Sequence, residues 1–87
     1  MNIEMHKTAK KQLIKAPKII KIKVSQLVQH IFIHGLKNCP FPIKPMKGKY
    51  NTYSEFLIHK DYRIIYRTST NTLYIRYAGT HNELGTG

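Results

Sequence analysis

Residues 62–79 read YRIIYRTSTNTLYIRYAG, and this stretch decides the fold because two strand-like runs flank a short turn. Residues 62–68 and 72–79 alternate side chains with a period of two, and Ser-Thr-Asn at 69–71 supplies the turn. A similar run, YNTYSEFLIH at 50–59, ends shortly before the first of them. Such short connections predict a three-stranded antiparallel meander.

The alternation also predicts which side chains share a face of the meander. In the first strand Ser54, Phe56 and Ile58 share one face, and the other carries Tyr53, Glu55, Leu57 and His59. In the next two strands one face carries Tyr62, Ile64, Tyr66, Leu73, Ile75 and Tyr77. The opposite face carries Arg63, Ile65, Arg67, Tyr74, Arg76 and Ala78. Because this last set holds every arginine of the chain, the open face of the sheet is predicted to be basic and aromatic.

The N-terminal segment predicts a short strand followed by a helix. MNIEM at residues 1–5 suits a strand with Ile3 and Met5 inward, and KTAKKQLIK at residues 7–15 suits a two-turn helix. The side chains expected to face inward from that helix are Ala9, Leu13 and Ile14.

A second helix is predicted between Pro17 and Gly35. Proline suits a first helical turn, and glycine is a common stop. The apolar positions between them, 20, 24, 27, 28 and 31, form an amphipathic stripe. Residues 37–49 have three prolines in six residues and are predicted to be irregular. The whole pattern is one α+β domain over residues 1–87. Its order is β-α-α-β-β-β, with two N-terminal helices packed on one face of a twisted, mainly antiparallel sheet.

Positive charge is distributed unevenly along the 87 residues, whose formal net charge is +11. Residues 1–50 hold eleven lysines and one acid, whereas residues 51–87 hold one lysine, three arginines and three acids. A charge of this size predicts a polyanionic partner: nucleic acid, an acidic protein or a membrane surface. Lysine is a mobile point charge, and arginine is a rigid fork suited to phosphate, so specific contacts are expected from the C-terminal half.

Cellular location and cofactors are predicted mainly from missing patterns. Cys39 is the only cysteine, so no internal disulfide can form, which fits a reducing cytoplasm. The sequence has no signal-peptide pattern and no apolar stretch of transmembrane length, so we expect no membrane partner. It has no glycine-rich phosphate loop and no Cys or His pair at metal spacing, so no metal and no small-molecule cofactor are expected.

Three segments together resemble a known family. They are MKGKY at 46–50, HKDYRIIYR at 59–67 and LYIRYAGTHNEL at 73–84, and they follow a lysine-rich two-helix start. The pattern is similar to the RelE/ParE superfamily of type II toxin–antitoxin toxins, and its ending is similar to the YafQ-like branch. The resemblance implies a small basic domain that cleaves mRNA on the ribosome without a metal, inhibits translation, and is neutralised by an acidic antitoxin.

The resemblance also implies catalytic residues. Arg63 matches an arginine that contacts the scissile phosphate in RelE-type members, and His81 matches the catalytic histidine of YafQ-like members. Asp61 matches an active-site aspartate of that branch. His59 is a further candidate because the branch has a histidine at the position of Leu57, which is predicted to share a face with His59.

Metal-free cleavage of RNA gives these residues their expected roles. A base removes the proton of the 2′-hydroxyl, cations stabilise the pentacovalent phosphate, and an acid protonates the leaving 5′ oxygen. Arg63 suits the phosphate clamp and His81 the acid. Asp61 or His59 would be the base, or Asp61 would only orient a histidine.

The expected RNA-binding residues are Lys44, Lys47, Lys49, Tyr62, Arg67 and Arg76. Tyr62, Tyr66 or Tyr74 would stack on a base, but Tyr62 and Tyr66 would be core residues instead if Ile64 is one. Arg67 and Arg76 would alternatively lie under an acidic antitoxin helix. Glu55 and Glu83 are expected to form salt bridges with nearby arginines.

Two other functions stay open. ParE-like members of the superfamily poison DNA gyrase, although the histidine after the last strand argues against that branch. A binding module that has lost catalysis is the second alternative. It is motivated by Lys44, Leu57 and Gly85, which replace two histidines and an aromatic residue of the YafQ-like pattern.

Overall fold

The computed structural model describes residues 1–85, and its secondary structure contains every predicted element. Three further short elements, at Ile43–Pro45, Gly48–Tyr50 and His81–Leu84, were not predicted. In chain order the elements are β1 (Asn2–Met5), α1 (Lys7–Ile14), α2 (Lys18–His34), β2 (Ile43–Pro45), a 3₁₀ turn (Gly48–Tyr50), β3 (Ser54–His59), β4 (Tyr62–Ser69), β5 (Thr72–Thr80) and α3 (His81–Leu84).

The strands form one five-stranded sheet in the order β1-β5-β4-β3-β2. β3, β4 and β5 are the predicted antiparallel meander, and β1 pairs in parallel with β5. The prediction of a mainly antiparallel sheet with two N-terminal helices on one face is confirmed. No helix within residues 1–85 is long and apolar enough to cross a membrane.

The core lies between the helices and one face of the sheet. α2 contributes Ile20, Val24, Leu27 and Ile31, four of the five predicted stripe positions, and Val28 packs at the margin. The sheet contributes Phe56, Ile58, Tyr62, Ile64, Tyr66, Leu73, Ile75 and Ala78.

The first helix buries fewer side chains than predicted. Ala9 is buried and Leu13 packs against the core, but Ile14 is 71% exposed. Leu13 follows Ala9 by four residues and lies on the same helix face, whereas Ile14 lies a further 100° around the helix. The prediction that Ile14 faces inward is therefore wrong.

The proline-rich connection contains a strand that the sequence did not predict. Ile43–Pro45 pairs antiparallel with β3 and forms an edge of the sheet. Proline lacks a backbone N–H, which an edge strand tolerates because its outer side needs no partner. This strand places Lys44 directly opposite Glu55.

A bulge in β5 changes the predicted faces of its last residues. The pairs are Ile65 with Tyr77 and Tyr66 with Ile75, so Arg76 is an extra residue between them. An inserted residue reverses the alternation of all that follow. Ala78 therefore lies in the core, and Tyr77 lies on the open face with Ile65, the reverse of the predicted arrangement.

A second bulge separates Leu57 from His59 in β3. Leu57 pairs with Arg63 on the open face, whereas His59 pairs with Tyr62, whose side chain belongs to the core. Paired residues of neighbouring strands share a face. The prediction that His59 shares the face of Leu57 is therefore wrong.

Candidate active site

A cleft of about 550 Å³ opens between the 3₁₀ turn, the open face of the sheet and α3. Its lining is basic at several points and contains one imidazole. The lining residues are Lys44, Pro45, Met46, Lys47, Lys49, Tyr50, Glu55, Arg63, His81 and Gly85.

Five residues predicted from sequence meet in this cleft. Lys44 lies in β2, Lys47 directly before the 3₁₀ turn and Lys49 within it. Arg63 comes from β4, and His81 is the first residue of α3. Four cations and an imidazole therefore surround one concave surface. Such cations can bind a phosphodiester and stabilise the negative charge that grows on its oxygens during cleavage.

Asp61 fixes the positions of Arg63 and His81 relative to each other. Its Oδ1 atom accepts a hydrogen bond from Arg63 Nη2 at 3.0 Å, and its Oδ2 atom accepts one from the backbone N–H of His81 at 3.1 Å. The backbone carbonyl of Asp61 also accepts from Arg63 Nε at 3.4 Å. One hairpin residue therefore joins the start of β4 to the start of α3.

Glu55 supports the guanidinium of Arg63 from the other side. Arg63 Nη1 lies 3.3 Å from Oε1 and 3.4 Å from Oε2 of Glu55, which is 5% exposed and is the one buried charged residue among those described. A buried carboxylate is costly unless it is paired, so Arg63 and the facing Lys44 stabilise it. The expected salt bridge of Glu55 with an arginine is confirmed.

Glu83 has a different partner from the predicted arginine. Thr80 and Glu83 form a capping box at the start of α3: Thr80 Oγ1 accepts from the N–H of Glu83, and Glu83 Oε1 accepts from the N–H of Thr80. This box fixes the first turn of the helix, where His81 lies. The prediction of an arginine partner for Glu83 is wrong.

Gly79 allows α3 to approach the sheet closely. It pairs with Arg63, and a Cβ atom at this position would lie 3.3 Å from two side-chain carbons of Leu84. The missing side chain therefore leaves room for Leu84 of α3 beside the sheet.

Two predicted site residues lie elsewhere. His59 does not line the cleft, because the bulge in β3 pairs it with Tyr62, whose side chain belongs to the core face of the sheet. Tyr62 is 7% exposed and packs in the core, so its ring faces are not available for stacking on a base. Burial, with a smaller effect of Glu83, raises the pKa of Tyr62, so its hydroxyl stays protonated at neutral pH. Tyr50 is the aromatic residue that borders the cleft.

Arg67 and Arg76 form a separate basic area on the open face. They line a second cavity, of about 330 Å³, together with His6, Tyr53 and Tyr74 among others. Apart from Tyr62, which belongs to the core, the predicted RNA-binding residues thus divide into two groups, one in the cleft and one in this second cavity.

Sequence reasoning gave no site role to Tyr50, the last residue of the 3₁₀ turn, or to Met46, two residues before that turn begins. Irregular backbone carries no periodic signal that would have placed them. Within residues 1–85, no group of three or more His, Cys, Asp or Glu side chains is arranged to hold a metal ion.

Comparison with solved structures identifies the fold. A chain of the RelB-RelE antitoxin-toxin complex from Methanococcus jannaschii matches with a TM-score of 0.82 at 21% identity, over 94% of each chain. YafQ from Escherichia coli strain BL21(DE3) matches with a TM-score of 0.81 at 20% identity, over 95% of this chain and 96% of YafQ. The YoeB dimer from Staphylococcus aureus matches with a TM-score of 0.75 at 19% identity, over 93% of this chain and 97% of YoeB.

The chain therefore has the fold of the RelE, YafQ and YoeB toxins, as the sequence resemblance implied. No protein-family model matches the sequence. No curated protein matches it either.

Proposed function

We propose that this chain is the toxin of a type II toxin–antitoxin system and that it cleaves mRNA on the ribosome. The observation that carries the proposal is the link through Asp61, which holds the guanidinium of Arg63 and the backbone of His81 at one basic cleft. A fold shared with three kinds of toxin supports the same conclusion.

In this proposal Arg63 is the main phosphate clamp. Its guanidinium is held in place by Glu55 and Asp61 before substrate arrives, so little reorganisation is needed when charge grows on the phosphate oxygens. Lys44, Lys47 and Lys49 add mobile positive charge around the same cleft. Such cations stabilise a pentacovalent phosphate without a metal ion.

His81 is proposed as the general acid. It lines the cleft, and histidine is the side chain that most often acts as a general acid, so it suits protonation of the leaving 5′ oxygen. Asp61 is assigned a positioning role because each of its carboxylate oxygens already accepts a hydrogen bond. Glu55 is assigned the same kind of role, since both of its oxygens face Arg63.

The proposed partners are the ribosome with its mRNA, in the cytoplasm, and an acidic antitoxin. The N-terminal half of the chain carries eleven lysines against one acid, a charge that suits sequence-independent contact with ribosomal RNA. The matched structures include complexes of three toxin–antitoxin pairs, namely RelB-RelE, DinJ-YafQ and YoeB-YefM. By analogy we propose that an antitoxin covers the basic face of this chain.

The experiment that tests this function is primer extension on a defined mRNA in a purified translation system. The protein is added to complete reactions and to reactions without ribosomes. We expect cuts within codons at the ribosomal A site, and only when ribosomes are present. His81→Ala should abolish the cuts, and His34→Ala, which removes an exposed histidine from the end of α2, should keep them.

The result that contradicts the proposal is an intact message in every reaction with folded protein. DNA damage signalling on expression, with mRNA uncut, would instead favour gyrase poisoning. Binding of an antitoxin without any effect on translation would favour a binding module without chemistry.

A further inference from the structure

We propose that the second cavity, defined by Tyr53, Arg67, Tyr74 and Arg76, is a separate subsite for single-stranded RNA that flanks the cleaved bond. This inference rests on the proposed function and extends it from the cleft to a longer stretch of the substrate. The flanking strand would place phosphates on the two arginines and a base on the tyrosines.

The first observation is that both arginines are free of carboxylate partners within residues 1–85, where Arg63 alone forms salt bridges. The guanidinium of Arg67 lies 4.5 Å from the ring centroid of Tyr74, and that of Arg76 lies 4.3 Å from the ring of Tyr77. A guanidinium stacked on a ring keeps its in-plane N–H groups for polar partners. Nη1 of Arg76 lies 3.0 Å from Nδ1 of His6, so the phosphate contacts would come from Arg67 and from the other N–H groups of Arg76. Phosphate groups bind such donors, and bases stack on aromatic side chains, so a surface with both suits single-stranded nucleic acid.

The second observation is that tyrosines connect this cavity to the cleft. Tyr50 lines the cleft and Tyr53 lines the second cavity, and their rings form an edge-to-face pair with centroids 6.2 Å apart. Across the sheet, Arg67 pairs with Tyr74. An RNA chain that leaves the cleft past Tyr50 would therefore meet further aromatic and cationic groups, which are the groups that bind single-stranded RNA.

The third observation distinguishes RNA from an acidic peptide. Glu4, opposite Tyr74 in the β1–β5 ladder, also lines the second cavity. A carboxylate there repels phosphates and acidic side chains alike, but a base also brings amino groups that can donate hydrogen bonds to it, and acidic side chains bring no such donors. The cavity thus combines donors for phosphate, rings for stacking and an acceptor for a base edge.

The test is RNA binding by the His81→Ala protein, which prevents cleavage. Fluorescence anisotropy compares a labelled 2′-O-methyl trinucleotide with an oligomer of about eight nucleotides, a length within the usual range for one small domain. We expect the longer RNA to bind roughly tenfold more tightly because it also stacks in the second cavity. The substitution Arg67→Gln with Arg76→Gln should remove that gain and leave trinucleotide binding unchanged.

The matched control is Lys18→Gln with Lys21→Gln, which removes the same charge from exposed positions on α2. Circular dichroism checks that both double variants are folded. The inference is overturned if the gain with length persists without the arginines, or if the lysine control removes it equally.

The remaining outcomes separate this inference from the proposed function. Ribosome-dependent cleavage by the parent protein, with no gain in affinity for the longer RNA, overturns the subsite alone. Absence of both cleavage and RNA binding overturns both. Binding of a polyglutamate peptide that depends on Arg67 and Arg76, without a length effect for RNA, would identify the cavity as a surface for an acidic protein segment and overturn the inference.

Discussion

The Oδ2 atom of Asp61 accepts a hydrogen bond from the backbone N–H of His81 at 3.1 Å, although the two residues are twenty positions apart in sequence. The contact joins the β3–β4 hairpin to the first residue of α3. Because the same carboxylate also holds Arg63, movement of the hairpin would displace the proposed acid and the proposed clamp together.

Asp61→Asn should reduce catalysis much more than stability. Arg63 and the backbone N–H of His81 donate to different oxygens of Asp61. Asparagine replaces one of these oxygens with an NH₂ group, which cannot accept, so one of the two hydrogen bonds is lost. We expect the single-turnover rate of mRNA cleavage to fall on the order of a hundredfold through misplacement of Arg63 and His81. The side chain of Asp61 is 53% exposed, so the loss in free energy of unfolding should stay below about 1 kcal/mol. An unchanged cleavage rate in folded Asp61→Asn would contradict the assignment.

Two substitutions at Arg63 should separate its structural role from its catalytic role. Arg63→Ala leaves Glu55 buried without its main partner, which should cost about 3 kcal/mol in thermal or denaturant unfolding. Arg63→Lys keeps a cation beside Glu55 but lacks the two-pronged geometry for phosphate. The lysine variant should therefore remain folded and lose about a hundredfold in cleavage rate. Near-normal cleavage by folded Arg63→Lys would show that any cation suffices.

Gly79→Ala tests whether the close approach of α3 matters for activity. The new methyl group would lie 3.3 Å from side-chain carbons of Leu84, tighter than ordinary packing, and should push α3 and His81 away from Arg63. We expect about a tenfold fall in cleavage and a loss in stability of about 1 kcal/mol. Combining it with Leu84→Ala makes room for the methyl group and should restore most of the rate. If the double variant is no better than the single one, steric displacement of α3 is not the cause.

Much of this fold follows from regular patterns in the sequence. The stripe on α2 and the alternation of residues 62–75 both survive in the structure, because burial of one face fixes the period of each element. The faces of Tyr77 and Ala78 were predicted wrongly since a single extra residue, Arg76, reverses the alternation and leaves no mark in composition.

The identity of the site residues was predictable from the sequence where a motif marks them. It was less predictable where a bulge or the depth of the core determines which face a side chain lies on. Arg63, His81 and the lysines of residues 44–49 were found through the motifs that resemble the toxin family, and the structure brings them to one cleft. His59 and Tyr62 were misplaced, because a bulge and the depth of the core govern where they point. α3 did have a signal that was overlooked, since Thr80 and Glu83 are spaced as in a capping box.

His6 should make the stability of the protein depend on pH. Its Nδ1 atom accepts from the N–H of Thr8 at 3.1 Å, which caps α1, and lies 3.0 Å from Nη1 of Arg76. Both contacts require an unprotonated Nδ1. Desolvation by its neighbours and the charges of Arg76 and Lys7 lower the pKa of His6 below the ordinary value of 6.5.

Because the folded pKa of His6 is the lower one, the unfolded chain binds more protons at mildly acidic pH. The stability contributed by His6 is therefore complete above pH 6.5 and is lost as pH falls through the folded pKa. We expect the midpoint of thermal unfolding to be lower at about pH 5.5 than at about pH 7.5. His6→Asn keeps an acceptor at the helix N-cap but does not titrate, so it should reduce this difference, whereas His34→Asn on α2 should not. An unchanged pH dependence in His6→Asn would show that the contacts of His6 with Thr8 and Arg76 do not control it.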